Sequence, residues 1–419
     1  MPNKTVLANG VRVVSEYVPG VRSVSVGCWF PAGSRDERPG EDGLAHLVEH
    51  MMFKGTAHRS ARDIAEAIDA TGGQLNAFTT KEATSYYARV LDQHLPLALD
   101  LLADMLQHSV FAEDELAREK EVILEEIGMV EDTPEDLIHD LFEACLFGDH
   151  PLARTVLGTR EGLLRLGRSD VLRFVETHYT PENMVVAAAG SVQHDELVRL
   201  VEKLFRRPAG TGPVERVRRP VPYAPRQVVV PKDTEQVHIC VGAPALVRTD
   251  PRRFALDLLD IIVGGGSSSR LFQQLREERG LVYSTYSFSA AYTDAGVFGV
   301  YAATRPERAG EVLDVIYREL AELAAGRIRP EEVDRAREQA KGSLMLALES
   351  TATRAGRLAG AELFDEPYLQ PEELIDRLDR VTVDDVRRLA GELLAEQRLS
   401  VVKLGPAVQR RRKVLGAMA

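Results

Sequence analysis

The chain has 419 residues, 44% hydrophobic and 28% charged, which describes a globular protein too long for one ordinary core. Its net charge of −12 leaves no basic surplus to displace counterions, which argues against nucleic acid as a main partner, while an acidic cavity would attract a basic peptide. Cys28, Cys145 and Cys240 are odd in number and far apart, so buried thiols in a reducing, cytoplasmic setting are expected rather than a disulfide framework; no leader pattern or membrane-length apolar run is present, and no membrane partner is expected.

In chain order, strands are predicted through Val11–Tyr17 and Val24–Phe30, followed by a helix from Asp42 to Lys54, begun by a capping Asp and closed by Gly55. This helix carries the most informative string of the sequence, His46-Leu47-Val48-Glu49-His50. Residues four apart on a helix share a face, so His46 and His50 can bind one Zn2+, with Glu49 beside them in reach of a water there. The order is H-x-x-E-H, the mirror of the commoner H-E-x-x-H. A strand pair follows near Gly73–Asn76 and Ser85–Val90. Next come helices at His94–His108 and Ala112–Val130, further helices, the apolar strand Met184–Ala189, and a closing helix.

The same order then recurs. Strands at Gln227–Val230 and Val237–Val241 precede a helix at Arg252–Val263, strands near Val282–Phe288 and Val297–Ala302, helices at Glu307–Ala325 and Pro330–Leu348, and a strand at Leu399–Leu404. Asp114-Glu115-Leu116-Ala117-Arg118 has a counterpart in Glu331-Glu332-Val333-Asp334-Arg335, and Ser169-Asp170-Val171-Leu172-Arg173 in Asp384-Asp385-Val386-Arg387-Arg388. A Pro/Gly-punctuated stretch separates the halves. The expected fold class is therefore α+β, a duplication of one α+β domain. The expected boundaries are residues 1–207, a linker at 208–226, and residues 227–419. The duplication is chemically uneven. The second half offers Val263-Gly264-Gly265-Gly266-Ser267-Ser268-Ser269 after its helix, without metal ligands and without the spacing or Lys of a phosphate loop.

Two histidines leave a catalytic zinc short of one protein ligand. The acidic helix Glu113–Val130 is the best source, and Val122, Ile123 and Ile127 show that part of it packs against the protein. Glu119 and Glu126, seven apart, lie on one face. Spacing alone does not choose between Glu125 and Glu126.

Several long blocks resemble the pitrilysin/insulysin metallopeptidases, or inverzincins, and most closely their processing-peptidase-like branch. They are Gly43–Thr56 around the histidine motif, Val122–Ile127 in the acidic helix, Ser269–Phe272, and Gly280–Tyr283, all in the family's order. The resemblance implies two homologous α/β-sandwich domains, each a mostly antiparallel sheet with helices packed on it, the first holding one Zn2+ per chain. It places the third zinc ligand on Glu126 with His46 and His50, a supporting carboxylate on Glu119, and the general base on Glu49. It further implies that peptide binds as an added strand along Leu75–Thr79, through Asn76, Ala77 and Phe78. Arg276 and Tyr283 of the second half would hold the substrate backbone and stabilise the oxyanion.

The function so implied is zinc metalloendopeptidase activity on peptides or unfolded segments inside a closed chamber. Larger relatives enclose that chamber with four such domains in one chain. Two domains here imply a homodimer with each active site shared across subunits. The alternatives are a silent scaffold subunit or a catalytic subunit that needs a different partner chain.

Overall fold

The computed structural model of the chain describes residues 2–208, 218 and 221–406; most of the stretch read as a linker lies outside the described residues. Six strands make the first sheet: β1 (Asn3–Val6), β2 (Arg12–Tyr17), β3 (Ser23–Phe30), β4 (Gln74–Thr79), β5 (Thr84–Leu91) and β6 (Val185–Gly190). Their order is β1-β2-β6-β3-β5-β4. The second sheet runs β7-β11-β8-β10-β9, from β7 (Gln227–Pro231), β8 (Val237–Pro244), β9 (Thr285–Ala291), β10 (Gly296–Thr304) and β11 (Ser400–Gly405). Setting β2 against β7 makes the two orders match strand for strand. A parallel ladder also recurs in each sheet, β2 with β6 and β7 with β11. The fold is α+β and duplicated.

Sequence pattern follows position in the sheet. The interior strand β6, Val-Val-Ala-Ala-Ala-Gly, is buried at every residue, as a strand covered on both faces requires. The edge strand β4 alternates exposed and half-buried residues.

Among the described residues, eight helices belong to the first half: α1 (Leu44–Met51), α2 (Ala61–Asp69), α3 (Leu95–His108), α4 (Glu113–Asp132), α5 (Pro134–Phe147), α6 (Arg160–Arg165), α7 (Arg168–His178) and α8 (His194–Leu204). Six belong to the second: α9 (Arg253–Gly264), α10 (Ala309–Ala324), α11 (Pro330–Ala347), α12 (Thr351–Leu363), α13 (Pro371–Arg380) and α14 (Val383–Leu393). Each sheet packs one face on helices of its own half, around Leu47, Leu99 and Ile123 in the first and Leu259, Ile316 and Leu389 in the second.

The other faces are covered by exchange. Helix α5 lays Ile138, Phe142 and Leu146 against Val297, Tyr301 and Val402 of the second sheet. Helix α12 lays Ala355, Leu358 and Ala359 against Val14, Trp29 and Ala187 of the first. A buried hydrogen bond joins Ser25 to Thr351 at 2.8 Å across this contact. Each half therefore completes the core of the other.

The motif helix departs from its expected limits. It begins at Leu44 rather than Asp42, and the cap position is Gly43, in the left-handed region at φ 90°. A side chain there would press on the Leu157 carbonyl oxygen at 2.5 Å, so both conformation and space call for glycine. Capping comes from Glu37, whose carboxylate accepts from the Gly43 N–H at 3.1 Å and the Ala45 N–H at 2.8 Å.

Candidate metal centre and active site

Helix α1 presents His46 and His50 on one side, and α4 packs across it so that Glu126 meets both rings. The Glu126 Oε2 atom lies 3.8 Å from His46 Nε2 and 3.6 Å from His50 Nε2. Ligands about 2.0–2.1 Å from a tetrahedral zinc stand roughly 3.3–3.4 Å apart, so these three donors fit one ion between them. Glu125 is outside this group, and its charge acts on Arg160.

The protonation state of His46 suits a metal. Burial, reinforced by the neighbouring His50, pushes the His46 imidazole down to about 4, so it is neutral and an open donor at pH 7. The two rings meet edge to face with centroids 4.6 Å apart. Glu119, only 4% exposed on α4, places Oε2 at 3.0 Å from His50 Nδ1. Its other oxygen holds Lys54 at 2.6 Å. A carboxylate on Nδ1 fixes the tautomer that leaves Nε2 free toward Glu126. His46 Nδ1 is buried with no hydrogen-bond partner among the described residues.

Glu49 lies between the metal donors and β4. Burial raises its pKa; a hydrogen bond from the Thr79 hydroxyl and the nearby His50 oppose the rise, while Glu126 adds to it. A carboxylate made more basic by burial beside the metal donors suits a general base.

Thr79 ends the expected substrate strand, and the sequence pattern assigns it no role. The two-residue period of a strand is the signal that locates it: Leu75, Ala77 and Thr79 share the half-buried face of β4. Asn76 and Phe78 point the other way and are exposed. Because β4 pairs only with β5, its outer backbone edge is unpaired within its sheet.

Arg276 and Tyr283 lie elsewhere. Arg276 sits in a π-helical turn, Phe272–Glu277, with its guanidinium 4.9 Å from the Phe272 ring and 5.1 Å from the Tyr283 ring. Tyr283 is 80% exposed. No hydrogen bond, ion pair or ring contact among the described residues ties either side chain to His46, Glu49, His50 or Glu126.

Two family models match the sequence. One is described as insulinase (peptidase family M16), over residues 12–160, and the other as peptidase M16 inactive domain, over residues 165–340. The first match contains every metal donor named above. An uncharacterized zinc protease of Streptomyces coelicolor is 45% identical over 410 residues, 96% of this chain and 89% of that protein. The uncharacterized zinc protease YmxG of Bacillus subtilis is 42% identical over 388 residues, 93% of this chain and 94% of the relative. Among solved structures, a protease from Helicobacter pylori superposes with a TM-score of 0.90 at 25% identity, covering 97% of this chain and 99% of the other. A peptidase M16 inactive domain from Pseudomonas fluorescens gives 0.91 at 22% identity over 97% and 98%, a likeness of fold alone.

Proposed function

Because the chain belongs to the insulinase family of peptidases, M16, we propose that it is a zinc-dependent metalloendopeptidase that cleaves peptides and unfolded polypeptide segments. The observation that carries this reading is the convergence of His46 Nε2, His50 Nε2 and Glu126 Oε2 beside the Glu49 carboxylate.

His46, His50 and Glu126 would hold one zinc ion. When bound, zinc supplies a Lewis acid that polarises a carbonyl and makes water a better acid at neutral pH. Glu49 takes the proton from the attacking water on its carboxylate and later delivers it to the nitrogen of the departing amine. Thr79 holds one Glu49 oxygen in place through both transfers. The free edge of β4, at Asn76, Ala77 and Phe78, supports pairing with an extended substrate backbone.

Arg276 and Tyr283 are assigned to holding substrate and stabilising the oxyanion in the partner subunit of a homodimer that closes a chamber. The 80% exposure of Tyr283, and the lack of any contact among the described residues between either side chain and the metal donors of the same chain, support that assignment. The described chain contains no helix long and apolar enough to cross a membrane. Three buried free cysteines support a reducing, cytoplasmic setting.

The deciding experiment is digestion of a mixed peptide library by the zinc-loaded protein beside Glu49→Gln, read by mass spectrometry. Cleavage by the first should exceed the second by about 10^2–10^4-fold while both keep zinc. Equal cleavage would remove Glu49 from the role of base, and none by either, with zinc bound, would favour a scaffold or a missing partner chain.

A further inference from the structure

A second group of metal-type donors lies where the loop leaving the motif helix meets the end of α3. Asp104 and His108 are four apart on α3 and share a face. His58 comes from the loop, which is pinned to the end of α3. The pins are a bridge between Thr56 and Ser109 and a hydrogen bond from the Ala57 N–H to the His108 carbonyl at 2.9 Å. One donor atom from each of His58, Asp104 and His108 lies within 4.8 Å of the others. The two rings meet edge to face with centroids 4.8 Å apart.

The carboxylate is built in, 6% exposed. Its Oδ1 stands 2.8 Å from His58 Nδ1, and its Oδ2 accepts from the Thr56 hydroxyl and the Arg59 guanidinium, each at 2.8 Å. Oδ2 is thus anchored, while Oδ1 faces the imidazoles. Outer hydrogen bonds of this kind orient metal ligands. Arg59 does not cancel the site's charge, because it also binds Asp100 at 2.6 Å; two carboxylates face one guanidinium. His108 makes no side-chain hydrogen bond among the described residues, although it faces this anchored carboxylate.

We propose that His58, Asp104 and His108 form a second divalent-metal site, distinct from the catalytic one. Two imidazoles and a carboxylate select borderline ions such as Zn2+, Co2+ or Ni2+ over Mg2+ or Ca2+. An ion there would cross-link the loop after α1 to α3 and stabilise the folded chain by binding it in preference to the unfolded one. The zinc complement would then exceed the single catalytic ion.

The test uses the full chain with His46→Ala and His50→Ala, which removes the catalytic ligands, in equilibrium dialysis against micromolar Zn2+. That chain should retain about one zinc and show a rise in Tm on zinc addition. Adding His58→Ala and His108→Ala, both at exposed positions, should weaken binding at least about tenfold and abolish the Tm rise. The proposal is overturned if the first variant binds no zinc, or if its zinc is indifferent to losing His58 and His108. The catalytic reading fails separately, if His46→Ala with His50→Ala leaves the wild-type stoichiometry unchanged.

Discussion

Thr79 shows how one hydroxyl links substrate placement to chemistry. It stands on the strand proposed to pair with substrate and bonds the carboxylate proposed as base. Replacing it with Val keeps the shape and removes the donor. Glu49 then loses its fixed orientation, and kcat should fall about tenfold, equivalent to about 1.4 kcal/mol, with KM little changed. Thr79→Ser should restore most of the rate. A Val variant with unaltered kcat, or a Ser variant as slow as Val, would remove Thr79 from this role.

At the scale of the element, the start of α1 depends on a buried acid. Glu37 caps the helix from inside the protein, and burial is the main cause that raises its pKa from 4.5 to about 8, against the two backbone hydrogen bonds that lower it. The folded protein therefore keeps a proton that the unfolded chain releases. Its contribution to stability is fullest below about pH 4.5 and declines as pH rises toward 8. Glu37→Gln keeps one acceptor oxygen, sets an NH2 donor against the other helix N–H at a cost independent of pH, and has no charge to gain. Its Tm relative to wild type should therefore climb between pH 5 and 8, and a gap independent of pH would contradict this account.

The equivalent helix of the second half, α9, keeps the frame and lacks the imidazoles. Its Asp260 accepts from Ser289 of β9 at 3.2 Å, much as Glu49 accepts from Thr79 of β4. The duplication thus preserved a contact between helix and edge strand while only one copy holds metal donors.

In the whole molecule, the tips of equivalent hairpins meet. Arg35 and Glu82, with side chains 2% and 3% exposed, pair at 2.5 Å, and Arg35 also reaches Asp294 at 2.8 Å beyond β9. The Thr293 N–H donates to Glu82 at 3.0 Å, and Lys81 binds Glu143 of α5 at 2.5 Å. The turn after β4, and with it the proposed substrate edge, is thereby bolted to the second half. Glu82→Ala would strip a buried cation of one partner and should cost about 3–5 kcal/mol in chemical denaturation; a loss below about 1 kcal/mol would show that Asp294 alone suffices.

The proposed sharing of sites between subunits is tested by mixing Glu49→Gln chains with Arg276→Ala chains. Each homodimer should be nearly inactive, and mixing should recover a fraction of wild-type turnover. No recovery would sink the shared site.

Short-range spacing made much of this protein legible in its sequence. Four-residue spacing puts His46 and His50 on one face of a helix, and the repeated order of strands and helices shows the duplication. Each follows from the geometry of a single element. The tertiary structure chose Glu126 over Glu125 in the donor group, turned Thr79 toward Glu49, and capped α1 with Glu37 rather than Asp42. It also exchanged α5 and α12 between the sheets. These outcomes depend on which faces pack when distant segments meet, and local periodicity leaves the rotation of one element against another open.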